Sequence, residues 1–268
     1  AGPTQDYDPA EDPSPAELIA ARPNLSMHAM YGLTFDGVPL NAIADAVGTP
    51  TYVYSADTLR HRYRTLAGAL KDAGLDAHIH YAVKANDHLA VLSVLAREGA
   101  GADIVSGGEL RRALKAGIPA DKIVYSGVGK SLDELRLAIG AGVDQINAES
   151  AEELEIISAV AVSLNREARV ALRVNPDVAA GGHDKISTGR ATDKFGIAYD
   201  DAAGLYARAA SLPGVRAVGI AVHIGSQILD LAPYRAAFER IGDLVRGLRA
   251  NGHRVDAVDR KSTRLNSS

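Results

Sequence analysis

The period of the apolar positions changes along the chain. From residue 77 onward, short β-like runs alternate with stretches whose apolar residues recur every three or four positions. The runs are AHIHYAVKAN (77–86), GADIVS (101–106), KIVYSGVG (122–129), DQINAES (144–150), ARVALRVNP (168–176), VRAVGIAVHIGS (215–226) and RVDAVD (254–259). Between them, HLAVLSVLAREG, GELRRALKAG, SLDELRLAIGAG and AEELEIISAVAVSLN read as amphipathic helices, often closed by Gly. Seven successive βα steps predict a parallel sheet with helices outside it. Several runs are apolar at consecutive positions, as strands covered on both faces should be. A doubly wound sheet and a (β/α)8 barrel both fit. No G-x-G-x-x-G follows the first run, and the early runs repeat about every 21 residues, which favours the barrel. Such a barrel takes around 250 residues, and here the pattern reaches about its seventh strand. The expected fold is therefore α/β, an incomplete (β/α)8 TIM-type barrel.

The two ends break this rhythm. Residues 1–26 are rich in Pro, Asp and Glu, and a mobile, solvated tail is expected over 1–29. At the other end DRKSTRLNSS, from Asp259, is polar and serine-rich.

Composition narrows the class of partner. Hydrophobic residues make up 47% of the 268 positions, enough for a large core. The formal net charge is −4 with no Lys/Arg run, so neither a nucleic-acid surface nor a basic membrane surface is indicated. No apolar stretch of membrane-spanning length or signal-peptide pattern is present. Cysteine is absent, which removes disulfides and thiolate metal sites and makes a cytoplasmic location the expectation. No metal site is expected.

Barrel chemistry sits where strands end and βα loops begin. The polar residues at those ends are Lys84 and Asn86, Asp103 and Ser106, Ser126, Asn147 with Glu149, Arg173 with Asn175, and His223 with Ser226 and Gln227. An isolated Ser or Asn there commonly caps the next helix, so Ser106, Ser131 and Ser150 are read first as caps. Lys84, Arg173 and His223 follow apolar runs and are expected to share one mouth. A lysine buried there would lose hydration, and its pKa should fall. Its neutral amine would then attack a carbonyl. Two chemistries use such a lysine: a cofactor-free aldolase, and pyridoxal phosphate, which also needs a phosphate cradle. HIGSQ (223–227) suits the cradle, with Gly225 allowing close backbone approach, Ser226 offering donors, and His223 placed to lie flat against a planar ring.

YAVKAN (81–86) resembles the lysine motif of fold-type III pyridoxal-phosphate enzymes. With DIVSGGELRRALKAG (103–117), SGVGKSLDEL (126–135), NAESAEELE (147–155), ALRVNPD (171–177), KISTGRATDKFGI (185–197) and HIGSQI (223–228), the chain resembles the diaminopimelate decarboxylase family over about residues 30–258. The resemblance implies that Lys84 holds pyridoxal 5'-phosphate and His223 stacks on its ring. It implies that Ser226 contacts the phosphate, and that Asp103, Glu109 and Arg173 form a polar floor. It implies decarboxylation of meso-diaminopimelate, a small amino acid, to L-lysine by a homodimer. Residues 30–57 would be a lead-in whose strand belongs to a second, β-rich domain, TLRHRYRTLAGALKDAG (58–74) a helix before the first barrel strand, and 58–259 the partial cofactor-binding barrel. The family's Gly-rich phosphate loop, Glu-Pro-Gly-Arg segment, Cys-containing segment and C-terminal Tyr have no counterpart here, and residues 260–268 are expected to be non-native. The alternatives are a related decarboxylase acting on ornithine, arginine or carboxynorspermidine, and a non-catalytic pyridoxal-phosphate-binding homologue.

Overall fold

The computed structural model describes residues 14–22, 24–178, 195–225, 228 and 230–260. The chain divides into two compact units, with the boundary between Asp76 and Ala77.

The first unit holds α1 (Pro15–Ala21), β1 (Leu25–His28), β2 (Gly32–Phe35), β3 (Val38–Pro39), α2 (Leu40–Val47) and α3 (Ala56–Asp72). Residues 14–22 and 24–28 thus depart from the expected mobile tail. Ser14 and Glu17 close a capping box with Pro15 in the first turn, which satisfies orphan N–H groups at the start of α1. The expected single lead-in strand is an antiparallel sheet, β1-β2-β3. Asp36 and Gly37 join β2 to β3, both at positive φ (49° and 78°), the conformation of a two-residue hairpin turn. The helix expected over 58–74 is α3; it buries none of its residues and groups with the first unit.

The second unit alternates strand and helix. Its elements are β4 (His80–Ala82), α4 (Leu89–Glu98), β5 (Gly101–Ile104), α5 (Gly107–Lys115), β6 (Ile123–Tyr125), α6 (Leu132–Ala141), β7 (Gln145–Ala148), α7 (Ala151–Ser163), β8 (Ala168–Asn175), β9 (Ile197–Ala198), α8 (Tyr199–Ser211), β10 (Val215–Val222), α9 (Ala232–Ala250) and β11 (Ala257–Arg260). The sheet runs β11-β10-β8-β7-β6-β5-β4, all parallel, with the short β9 beside the end of β8. Spatial order follows chain order without reversal, which is the order of a barrel wall and not of a doubly wound sheet. Each strand is shorter than its sequence run. β11 extends one residue past the expected end at Asp259, through Arg260.

The period of two separates two faces. Ile104 on β5, Ile123 and Tyr125 on β6, Ile146 on β7, Leu172 on β8 and Ile220 on β10 join one buried cluster with Leu110, Leu135, Leu154 and Ile157 of the helices. Burying each such side chain stabilises by about 1.5–3 kcal/mol, so truncating one such as Leu154 to Ala would cost about 2–5 kcal/mol. The alternate residues Asp103, Asn147, Arg173 and Asn175 are also buried, but they lie outside that apolar cluster, on the other face of the sheet.

That other face is concave. Asp259 on β11 accepts a hydrogen bond from Asn147 Nδ2 on β7 at 2.7 Å, although β10 and β8 lie between. In a flat sheet three strand spacings are about 14 Å, too far for two short side chains. The sheet is curled as a barrel wall, and these residues line its interior.

Candidate active site

Three consecutive βα loops carry the same start signal. Ser106, Ser131 and Ser150 are the N-caps of α5, α6 and α7, each accepting from the backbone N–H of a glutamate three residues on. The bland reading of these serines is the observed one. The glutamates do more. Glu109 Oε2 accepts from Val105 N at 2.8 Å, and Glu153 Oε2 from Glu149 N at 2.8 Å. Glu134 accepts from Ser131 N and, through its other oxygen, from Gly107 N of α5 at 2.8 Å. The Gly107 and Ser131 N–H groups pull its carboxyl pKa down to about 2. Tyr125, fully buried behind this loop, has its phenol pushed well up by burial and then by the Glu134 charge. A phosphate would meet carboxylates at all three of these helix N-termini.

On the interior face Arg173 is 7% exposed and donates to Glu149 Oε1 at 2.6 Å. Its guanidinium also stands 5.8 Å from the Phe195 ring centroid. Asn147 Nδ2 donates to Ser126 Oγ (3.0 Å) and Asp259, while its Oδ1 accepts from Gln145 Nε2 (2.7 Å). Gly101 sits at the base of β5, where an added Cβ would fall 2.3 Å from Lys122 O and 2.8 Å from His80 Nδ1. Only glycine lets β5 and β6 close up around the His80 ring.

Lys84 corrects the sequence expectation in two ways. It lies in a 3-10 turn (Val83–Ala85) after β4, not in the strand, and it is exposed, not buried. β4 is the last strand on its side of the described sheet. Asp103 is 9% exposed, opposite Ala82 and Val124 in the register. His223 follows β10 and is half-buried, and Gly225 adopts φ 139°, a conformation that side chains rarely permit. Ser226, Gln227 and most of KISTGRATDKFGI lie outside the described residues. Lys84, Asp103, Arg173 and His223 therefore all stand at carboxyl ends of wall strands. Glu109 belongs to the β5–α5 loop. Sequence reasoning passed over Lys130, Gln145 and Asp259; Lys130 bonds Asn147 and Glu153, and Asp259 bonds Asn147, across distant segments.

The sequence and the fold of this chain are matched among known proteins. The pyridoxal-dependent decarboxylase family, in its pyridoxal binding domain, matches residues 56–260, and this chain belongs to that family. Among individual relatives, diaminopimelate decarboxylases of Zymomonas mobilis and Pseudomonas aeruginosa are 49% and 50% identical, over 85% and 84% of this chain and 54% of each relative. The crystal structure of diaminopimelate decarboxylase from M. jannaschii in complex with L-lysine superposes with a TM-score of 0.82 at 33% identity, over 90% of this chain and 56% of that one. The chain spans about half the length of the curated relatives it matches.

The cofactor that family membership implies is pyridoxal phosphate. The residues present fit it. Asp103 Oδ1 is buried with no hydrogen-bond partner among the described residues, an acceptor left for an incoming donor. Lys84 presents an exposed amine, and Gly225 holds a backbone conformation that a side chain would strain. Among the described residues no group of three or more His, Asp or Glu is arranged to hold a metal, and no helix is long and apolar enough to cross a membrane.

Proposed function

We propose that this chain is the cofactor-binding part of a carboxy-lyase that converts meso-2,6-diaminopimelate to L-lysine and CO2. The observation that carries the reading is the roughly half-identical sequence shared with relatives named for that reaction over five-sixths of the chain. The arrangement around the mouth supports it. Bound pyridoxal phosphate supplies an electron sink for the pair left when the bond from Cα to the carboxylate breaks.

The chain's own residues prepare that step. Lys84 Nζ would hold the cofactor's aldehyde carbon and yield its place to the substrate's amine. Its exposure lets a small amino acid reach it. His223 would lie against one face of the ring, Asp103 Oδ1 would accept a hydrogen bond from the bound molecule, and Ser226 would meet the phosphate. Arg173, locked by Glu149, would place a fixed positive charge in the floor, and Glu109 would hold the neighbouring loop through Val105. The partial barrel of 58–259 is read as the unit that performs this, in a cytoplasmic homodimer. The absence of cysteine and the family resemblance support that location and assembly.

The test is CO2 release from meso-diaminopimelate by the full-length protein, lost in Lys84→Ala. Release from ornithine or arginine alone would transfer the reading to a related decarboxylase. Cofactor binding with no release from any of them would leave a binding protein.

A further inference from the structure

We propose that Lys130 is a positioning residue for Arg173, acting through Glu153 and Glu149. The inference rests on the cofactor reading above in one respect, that Arg173 faces the bound molecule.

Lys130 lies in the loop before α6, and its side chain is 0% exposed. A fully buried ammonium is costly to desolvate, and a methionine of similar length would fill the same space without that cost. The charge is held by named partners. Nζ donates to Glu153 Oε1 at 2.9 Å and to the backbone oxygen of Asn147 at 2.7 Å, and it stands 5.6 Å from the Tyr125 ring centroid. Glu153 uses its second oxygen to accept from Glu149 N, and the Glu149 carboxylate accepts from Arg173. Glu149 and Arg173 side chains are 12% and 8% exposed.

The path is continuous and mostly buried. It joins the β6–α6 loop to α7, to the β7–α7 loop, and to β8. Lys130 holds the end of β7 through the Asn147 carbonyl and the first turn of α7 through Glu153, which in turn holds Glu149 N. Without the ammonium, Glu153 keeps a largely buried oxygen with no cation. Turning that carboxylate towards water relieves it and releases Glu149 N. The Glu149 carboxylate then no longer has one place from which to hold the guanidinium. The neighbouring β5–α5 loop provides an internal comparison, since Glu109 holds Val105 N in the same way.

Two measurements on the full-length protein decide the matter. Amide hydrogen exchange should speed up at Glu149 by about tenfold in Lys130→Met, the loss of one charge-assisted bond, and remain unchanged at Val105. Equal acceleration at both amides, or none at Glu149, overturns the proposal. The second is a double-mutant cycle on the dissociation constant of pyridoxal phosphate, read by absorbance titration of apo-protein, with Lys130→Met and Glu149→Gln. Each single change should weaken binding by about tenfold, and the double variant should be within about twofold of the weaker single. Effects that multiply mean that Lys130 does not act through Glu149. Should Lys130→Met fail to fold, Glu153→Gln, which keeps shape and removes charge, replaces it in both measurements. A wild-type protein that binds no pyridoxal phosphate would sink the cofactor reading, and the exchange measurement would still decide the positioning claim.

Discussion

Replacing Asn147 by aspartate exchanges one nitrogen for one oxygen at nearly constant volume, so packing is left alone and only the electrostatics change. Asn147 is 1% exposed, and its Nδ2 faces Asp259 Oδ2 at 2.7 Å. Only the nitrogen of the amide can face a carboxylate, which fixes its orientation. In Asn147→Asp two carboxylates meet. At about 3 Å and an effective dielectric near 20, their repulsion is about 5 kcal/mol. The folded protein avoids this by keeping one proton between them, so the pair's pKa rises above the unfolded aspartate value of about 3.9. A raised folded pKa means that the variant is least penalised below pH ~3.9 and loses stability as pH rises towards the new value. At about 1.36 kcal/mol per pH unit, the penalty is roughly 1.5 kcal/mol near pH 5 and roughly 5 kcal/mol near pH 7.5. A difference of about 3 kcal/mol corresponds to ~6–12 °C in melting temperature for a domain of this size. Thermal melts of wild type and variant at those two pH values read it directly. An equal loss at both, or no loss at either, would refute the curled sheet that brings β7 and β11 together.

Two other outcomes are expected. His223→Ala should weaken pyridoxal phosphate binding by about 1 kcal/mol, or about fivefold, while covalent attachment persists; a lower melting temperature with unchanged affinity would make it only a strand-end histidine. Glu134, with its folded pKa near 2 and an unfolded value of about 4.3, contributes stability above pH ~4.3 that is lost as pH falls through about 2. Because its carboxylate is still partly screened by solvent, Glu134→Gln should cost only on the order of 1 kcal/mol at neutral pH, and urea titrations should show the gap closing in acid.

The strand–helix rhythm was legible because both periods are local: alternate burial along each strand and three-to-four spacing along each helix. The S-x-x-E starts of α5, α6 and α7 were legible for the same reason. Two local signals were present and passed over. Ser-Pro-Ala-Glu at 14–17 announces a capped helix within acidic, proline-rich sequence, and Asp36-Gly37 announces the β2–β3 hairpin. Lys84 was expected buried at the end of a strand, and it stands exposed in the turn after β4. Burial depends on what stands beyond the edge of β4, which no local pattern encodes. The Lys130–Glu153 and Asn147–Asp259 contacts join segments 23 and 112 residues apart, and single-residue types give no signal for them.

The central claim is that Lys84 is the lysine that carries the cofactor. Incubating the protein with pyridoxal phosphate, reducing it with borohydride and mapping the digested peptides by mass spectrometry tests this in one experiment. The predicted result is a single adduct on the peptide containing Lys84, none on the fully buried Lys130, and none in Lys84→Ala. Modification scattered over surface lysines, or an undiminished adduct in Lys84→Ala, would contradict it.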